Sequence, residues 1–180
     1  MDLSFRHDAW LKRLARSPRD DGRVELVVLR PGPGERATPD AVDVAEDGLV
    51  GDRWVGDAEA PDGTQVSLMN VHVLRAIAGD DEARMALSGD NLIVDLDLSE
   101  EALPTGSRLA IGGAILEVSE VPHRPCASFH ERFGRTAAQR VARGGRTGRR
   151  TRGVLCRVAV AGRVAKGDRI RVERPSGDAC

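Results

Sequence analysis

The sequence predicts a mostly β fold, with a β-barrel core and a few peripheral helices, for two reasons. Short segments rich in Val, Leu and Ile recur along the 180-residue chain, separated by turns that contain Gly or Pro. Strands do not alternate regularly with helices of about 10–15 residues, as they would in a doubly wound parallel sheet. The length suits one domain, and 31% charged with 41% hydrophobic residues is typical of a soluble globular protein.

The chain is expected to begin with an amphipathic helix. Apolar side chains recur there at helical spacing, namely Phe5, Trp10, Leu11 and Leu14. This start lacks the apolar core of a secretory signal, and no run approaches the roughly 20 apolar residues of a membrane span. We therefore expect a cytoplasmic protein that does not engage a membrane. The predicted organisation is a helix and linker over 1–21, the main domain over 22–174 and a frayed tail over 175–180.

Most of the main domain is predicted to consist of strands. Residues 23–30, RVELVVLR, alternate in the manner of a strand, and PGPGER ends them in a turn. A short strand in AVDVA precedes a loop punctuated by Gly. A hairpin over 107–121 turns at Gly112 and Gly113. Further strands are predicted within 64–70, 90–98, 153–162 and 167–174.

Helices are predicted at two places in the main domain. One lies near 71–78 and is ended by Gly79. The other begins near Pro125, a residue suited to a first helical position, and runs from Cys126 to Arg132. The segment RTAAQRVARGG extends this helical region, and a flexible basic loop, GRTGRRTRG, follows it.

Positive charge is concentrated in the last third of the chain. The formal net charge is -1, yet from Arg132 onwards nearly every charged residue is Arg. Such a local positive field favours an anionic partner, which could be a phosphate, a nucleic acid, or an acidic small molecule or cofactor. A nucleic-acid partner is not expected, because three Phe, two Trp and no Tyr leave few rings for base stacking. The sequence specifies no oligomeric state.

One of the three cysteines stands in a charged setting. Cys156 lies in an apolar run and is predicted to be a core residue, whereas Cys126 lies in VPHRPCASFHERFG, between His123 and His130. The spacing His-x2-Cys-x3-His admits three interpretations. They are a zinc site with three ligands, a buried structural thiol and a reactive thiol.

The reactive-thiol interpretation rests on the neighbours of Cys126. A helix N-terminus and Arg124 would both favour the thiolate form. His130 or His123 could transfer a proton to or from it. A thiolate can attack an electrophile, carry a sulfane sulfur as a persulfide or bind a soft metal. The residues alone do not choose among these reactions.

Two loops carry further candidate ligand-binding residues. GLVGDRW presents Asp52 and Arg53, but it matches neither common glycine-rich phosphate motif. SGDNLIV places Asp90 and Asn91 just before a strand, where Asp and Asn can equally well bond their own backbone. His72 is a further candidate, and a structural role in a turn is the alternative for both loops.

Several segments together resemble the MOSC domain, the module named after the C-terminal part of molybdenum-cofactor sulfurases. They are GLVGDRW, SGDNLIVDLDLS, LPTGSRLAIGGAILEVSEVPHRPCASFHERFG and RGVLCRVAVAGRVAKGDRIRV. The resemblance covers roughly residues 22–174 and implies a pyruvate-kinase-barrel-like fold and a stand-alone bacterial-type member. It implies that Cys126 ligates molybdenum or carries sulfur. It also implies that Asp52, Arg53 and Asn91 line the pocket.

The resemblance also bears on cofactors. Molybdenum cofactor is the cofactor it implies, and an Arg-rich segment would suit its phosphate. Family descriptions also mention pyridoxal phosphate, whose Schiff base requires a Lys. The only Lys in the matched region is Lys166, in a closing turn, so we predict no Schiff base. Zinc is not expected, because the resemblance explains Cys126 without both histidines.

The expected function is therefore centred on Cys126. The chain would bind molybdenum cofactor or handle sulfur on an anionic small molecule, as a sulfur-transfer or cofactor-dependent enzyme, with a sulfur donor or redox protein as partner. One alternative is a molybdenum-independent cysteine enzyme that cleaves C–S or N–O bonds. A second alternative is a non-catalytic basic binding module.

Overall fold

A barrel of seven strands and a small second sheet form the protein, confirming the predicted mostly β class. The computed structural model describes residues 9, 11–12, 14–55 and 59–176. The strands of this part are β1 (Asp21–Val27), β2 (Ala41–Ala45), β3 (Gly48–Leu49), β4 (Val66–Asn70), β5 (Leu92–Asp95), β6 (Arg108–Ile111), β7 (Ala114–Val118), β8 (Val154–Val160), β9 (Gly162–Ala165) and β10 (Arg169–Glu173). The barrel closes in the order β1-β10-β6-β7-β8-β4-β5, and the second sheet has the order β3-β2-β9.

Three helices lie on the outside of the barrel in the described chain. They are α1 (Val71–Ala78), α2 (Glu82–Ala86) and α3 (Ala127–Arg146). The Asn70 side chain caps α1 by accepting from the amides of His72 and Val73, and Gly79 ends that helix as predicted. α2 was not predicted, although Asp81 caps it in the usual way.

Helix α3 differs in detail from its prediction. Cys126 is its N-cap rather than its first turn, because the backbone of Cys126 is extended and the helix begins at Ala127. The helix continues to Arg146, as the RTAAQRVARGG segment suggested. Gly134 interrupts it with φ of 81°, a left-handed conformation that glycine adopts without strain.

Strand pairing places most predicted segments as expected. β6 and β7 form the hairpin around Gly112 and Gly113, with Ile111 opposite Ala114. β4 and β5 are parallel neighbours, and α1 and α2 connect them. A turn was predicted at Ala165–Gly167 and is present, but the residues just before it also form β9, which pairs with β2 in the second sheet. A four-residue strand of that kind is too short to give a clear alternation.

The barrel has one hydrophobic core inside and another between its wall and the helices. Successive residues of a strand face opposite sides, so Leu68 of β4 belongs to the inner core and its neighbour Met69 to the outer one. Cys156 is fully buried in the inner core, as predicted, and burial raises the pKa of its thiol to about 12. Phe129 of α3 is fully buried in the outer core.

The structure covers the predicted N-terminal helix only in part and shows that the predicted basic loop is anchored. Most of the expected N-terminal helix, including Phe5 and Trp10, lies outside the described residues, while Leu11 and Leu14 pack on the outer core. The basic loop expected to be flexible is anchored where it ends, because Thr151 Oγ1 donates to the Val141 carbonyl at 2.8 Å. Within the described ranges, no helix is long and apolar enough to span a membrane.

Candidate functional site

Buried polar side chains gather where β1 ends, β5 begins and α3 crosses the outside of the barrel. We call them the polar cluster, which comprises Arg30, Asp52, Ser67, Asp90, Asn91, His123 and Arg152. Antiparallel pairing of β1 with β5 sets Val27 opposite Leu92, which brings the residue stretches after β1 and before β5 to the same end of the barrel. Two linked networks make up the cluster.

The first network joins Asp52 to Arg30. The Arg30 guanidinium binds the carboxylate with two parallel hydrogen bonds, Nε to Oδ2 and Nη2 to Oδ1, both 2.9 Å. The backbone N–H of Arg30 donates to the same Oδ2 at 2.9 Å. Paired geometry of this kind gives direction as well as energy. Asp52 therefore fixes the Arg30 side chain at the rim of the barrel.

Asn91 extends this network into the barrel wall. Its Nδ2 donates to Asp52 Oδ2 at 3.2 Å, and its Oδ1 accepts from the N–H and Oγ of Ser67, each at 3.1 Å. Burial alone would raise the pKa of Asp52, but the hydrogen bonds and charge of Arg30 hold it below its ordinary value. The structure thus brings together two predicted ligand-binding residues, Asp52 and Asn91. Both are largely committed to structural contacts.

The second network pairs Asp90 with Arg152 in the interior. Arg152 Nη1 donates to both carboxylate oxygens of Asp90, at 2.8 and 2.7 Å. The side chains of Arg152 and Asp90 are 5% and 0% exposed. His123 Nε2 lies 3.6 Å from Asp90 Oδ1. Asp90 and Asn91 are consecutive residues just before β5. Asp90 belongs to the second network and Asn91 to the first, so the two networks meet there.

His123 is held in its neutral form. Burial is the main cause, and the nearby charge of Arg152 adds to it, so that the pKa of His123 falls to about 3. Its Nδ1 is buried without a hydrogen-bond partner. Near neutral pH this imidazole can accept a proton only at a large energetic penalty, and it serves better as a neutral polar contact.

Cys126 stands at the surface, at the N-terminus of α3. Its carbonyl accepts from the amides of Phe129 and His130, at 3.1 and 3.2 Å, while its thiol makes no cap hydrogen bond. The residue is exposed, in contrast to Cys156. The buried-thiol interpretation of Cys126 is therefore wrong, because Phe129, rather than Cys126, supplies the buried side chain of this turn.

Three arginines surround the turn that precedes Asp90. A Cβ built on Gly89 would lie 3.5 Å from Arg36 Nη2, 3.8 Å from Arg132 Nη1 and 4.0 Å from Arg30 Cδ. Arg36 and Arg132 also hold this turn through the carbonyls of Ala86 and Leu87. Together with Arg53, whose charge also acts on Arg36, they form what we call the arginine group: Arg30, Arg36, Arg53 and Arg132.

The arginine group has more positive than negative charge. Burial, followed by the charges of the three other arginines, lowers the pKa of Arg36, and Asp52 is the carboxylate that opposes them. A set of guanidinium groups held close together in this way attracts an anion, which relieves their repulsion. Arg53 was a predicted ligand-binding residue. It is exposed, and its N–H bonds the Arg30 carbonyl at 3.0 Å.

A cleft of about 570 Å³ opens beside the segment that follows β7. Its lining includes His123, Arg124 and His130, three of the predicted site residues, and a floor of Val141 and Val154. Arg124 and His130 are exposed. Cys126 is not among the residues that line this cleft, so its thiol lies outside it.

His72 and Lys166, which the sequence analysis considered for ligand binding and for a Schiff base, both lie away from the polar cluster. His72 pairs with Asp95 at 3.2 Å, at the opposite end of β5 from Asn91, so it is separated from the other candidates. Lys166 lies in the turn between β9 and β10, where its hydrogen bond to Glu82 raises its pKa. Among the described residues, no three His, Cys, Asp or Glu side chains are grouped to hold a metal ion.

Sequence reasoning missed Arg30, Arg36 and Arg152. Arg30 ends a predicted strand and Arg36 lies in a predicted turn, so neither stood out in a chain rich in Arg. Arg152 fell in the segment expected to be a flexible loop. A signal was available for Arg152 alone, since it directly precedes Gly153 and a strand in a segment that carries the family resemblance.

Comparison with known proteins supports the arrangement of segments. The family model of the MOSC domain matches residues 50–171. No curated protein matches the chain. Residue 126 and the start of β5 both fall within the matched range.

Solved structures share the fold at low sequence identity. The YuaD protein from Bacillus subtilis has a TM-score of 0.67 and 22% identity, over 87% of this chain and 97% of its own. YiiM from Escherichia coli gives a TM-score of 0.58 and 21% identity, over 87% and 72%. YiiM from Geobacillus stearothermophilus gives 0.56 and 16%, over 88% and 78%. At these identities the likeness concerns the fold alone.

Proposed function

The chain belongs to the MOSC domain family, and from that premise we propose that it binds molybdenum cofactor, or a related anionic sulfur-bearing small molecule, between the arginine group and Cys126. The observation that carries this proposal is the convergence of Arg30, Arg36 and Arg132 around Gly89. Arg30 is already paired with Asp52, so a ligand with a phosphate would supply an anion mainly for Arg36 and Arg132. The proposed setting is the cytoplasm.

The residues present fit such a cofactor at two points. The exposed thiol of Cys126 is a soft ligand of the kind molybdenum accepts. Guanidinium groups bind phosphate oxygens through paired hydrogen bonds. When bound, the cofactor would supply a metal centre for two-electron or sulfur chemistry. The protein's share is to hold the phosphate with Arg36 and Arg132 and to present the thiol.

The histidines have different roles in this proposal. His130 is exposed and lies one helical turn after Cys126, where it can exchange a proton with solvent or substrate. His123 is buried and neutral, so it serves as a polar wall rather than as a base. Arg124 is exposed and lines the cleft, to which it adds positive charge.

Sulfur carriage is the chemistry that Cys126 supports best without a bound metal. Its thiolate would attack the terminal sulfur of a donor persulfide, forming an S–S bond to Cys126 and releasing the donor as a thiolate. The acceptor would then take that sulfur in the reverse sense, with no net oxidation. The partner is therefore a sulfur-donor or redox protein that can reach an exposed helix N-terminus.

Binding of inorganic phosphate tests the arginine group directly. Calorimetric titration of the wild type should show binding that Arg36→Met weakens about tenfold, the worth of one charge-assisted hydrogen bond. Arg157→Met is the matched control, because Arg157 pairs with Glu117 on the barrel surface. Equal phosphate affinity in all three proteins would rule out the arginine group as the anion site.

Mass spectrometry of Cys126 separates this proposal from its alternatives. Incubation with a low-molecular-weight persulfide should add one sulfur to the Cys126 peptide in the wild type but not in Cys126→Ser. A molybdenum-independent C–S or N–O cleaving enzyme would turn over substrate without the cofactor. A nucleic-acid binding module would show steep salt dependence of binding to an oligonucleotide instead.

A further inference from the structure

The segment that carries Cys126 is attached to the barrel on both sides of the thiol. On the N-terminal side, His123 lies against Asp90. On the C-terminal side, the ring of Phe129 lies under the Arg152 guanidinium, 4.7 Å from its Cζ to the ring centroid. Arg152 and Asp90 are bonded to each other, so a single buried pair contacts both attachments.

The buried Arg152–Asp90 pair is better explained by a role in positioning its neighbours than by a contribution to stability. Its two side chains are almost completely buried, which makes the desolvation of both charges expensive. The Arg152 Nε remains without a hydrogen-bond partner, so the burial is incompletely compensated. Its surroundings include Met69 and Phe129, and an aliphatic side chain would pack there at a lower free-energy cost.

The surrounding chain links the pair to both halves of the site. Asp90 follows Gly89, the turn on which the arginine group converges. Phe129 is in the first turn of α3, and its amide bonds the carbonyl of Cys126. A shift of Arg152 would therefore move Cys126 relative to Arg30 and Arg36, whereas Arg132 lies on α3 itself.

We propose that Arg152 and Asp90 act as a buried positioning pair that fixes Cys126 against the arginine group. Arg152 holds the first turn of α3 by stacking on Phe129, and Asp90 holds the preceding loop through His123. Neither residue reaches the reacting atoms. The inference rests on the proposed function only in taking Cys126 as the working thiol.

The test measures where Cys126 sits, using two alkylating reagents of different charge. Cys126 reacts with anionic iodoacetate and neutral iodoacetamide, and peptide mass spectrometry gives each rate at one pH. The ratio of the two rates reports the positive field at the thiol, because only iodoacetate is attracted by it. No cofactor is needed.

Two variants disturb the positioning without changing the net charge. Asp90→Asn/Arg152→Met removes both charges of the pair, and Phe129→Leu removes only the stacked ring. Each should lower the iodoacetate to iodoacetamide ratio about 2–5-fold, the influence of a helix terminus and adjacent charge on an ion. The control is Glu117→Gln/Arg157→Met, which removes an exposed pair on the barrel and should leave the ratio unchanged.

The outcomes are distinct. Wild-type ratios in a folded Asp90→Asn/Arg152→Met protein, or in Phe129→Leu, would overturn the positioning role. Should the double variant fail to fold, Phe129→Leu decides alone, since it keeps the ion pair intact. A lowered ratio in a protein that binds no phosphate would keep this inference and reject the proposed function.

Discussion

Inside the barrel the buried side chains are aliphatic apart from Cys156, whereas the polar cluster at its rim buries two carboxylates, an amide and two guanidinium groups. The inner core is built from residues such as Leu68, Leu92 and Val94, which touch one another without directional contacts. The polar cluster depends on named partners, with Arg30 on Asp52 and Arg152 on Asp90. Removing one partner from such a pair leaves an uncompensated buried charge.

The difference teaches where this protein tolerates change. An aliphatic core needs volume and hydrophobicity, and several sequences meet that need. A buried ion pair contributes little net stability, but its loss on one side is severe. We therefore expect the rim to be sensitive to small chemical changes and the barrel interior to be sensitive mainly to lost volume.

The largest expected effect is at Asp52. Asp52→Ala leaves the Arg30 guanidinium without its carboxylate partner and should lower the free energy of unfolding by about 3–5 kcal/mol. Chemical denaturation measures this value. Asp21→Ala, which breaks an exposed pair with Arg169, is the control and should leave stability nearly unchanged, because water screens such a pair. Similar losses in the two variants would remove the distinction between buried and surface pairs.

A second prediction concerns acid. The pKa of His123 is about 3 in the fold, below its ordinary value of 6.5, so the unfolded chain binds the extra proton first as pH falls. Stability should therefore decrease from about pH 6.5 towards pH 3, by at most about 1.4 kcal/mol per unit from this group. Asp52, whose pKa is lowered, adds to the loss below its unfolded value.

The matched variants are His123→Gln and His130→Gln, each followed by thermal unfolding between pH 7 and pH 4. The first should flatten the decline, because no imidazole remains to be protonated. The second should retain it, since His130 is exposed. A decline that His123→Gln leaves unchanged would mean that His123 is protonated as easily in the fold as in the unfolded chain.

A smaller effect is expected in the barrel interior. Leu92→Met conserves volume and should change the free energy of unfolding by less than about 1.5 kcal/mol. Asp52→Asn, an equally conservative change at the rim, should destabilise more, because Arg30 loses its charged partner. Equal stability of the two variants would show that the rim is no more demanding than the interior.

The smallest expected effect is at the barrel surface. Arg157→Met removes the ion pair between the exposed Arg157 and Glu117, which keeps Arg108 as a partner, and should change stability by about 0–1 kcal/mol, less still in high salt. Denaturation at two salt concentrations measures this. A loss of stability as large as that of Asp52→Ala would contradict the claim that only the rim depends strongly on specific ion-pair partners.

The same division explains what the sequence could predict. Strand patterns identified β1, β2, β4–β8 and β10, and the Gly112–Gly113 hairpin was confirmed, because burial leaves a periodic pattern. Asp52 and Asn91 were predicted to line the same pocket only because their motifs resemble those of the family. Their partner Arg30 could not be predicted, since pairing across the barrel depends on strand register rather than on local sequence.

Cys126 shows the limit of local reasoning more clearly. Its neighbours predicted a helix N-terminus, and the helix indeed begins there, one residue later than expected. One contact with the first turn of this helix comes from Arg152, which lies beyond the end of the helix in a segment predicted to be a flexible loop. β9 and α2 were missed because each is too short to show a period.

The most direct test of the central claim is the molybdenum and phosphorus content of the protein purified from a host that makes molybdenum cofactor. The wild type should carry both elements in stoichiometric amount, Arg36→Met/Arg132→Met should lose them, and Arg157→Met should keep them. Cys126→Ser should retain phosphorus with less molybdenum, because the phosphate contacts remain. Absence of both elements from the wild type, or equal contents in the wild type and the double arginine variant, would contradict the proposed site.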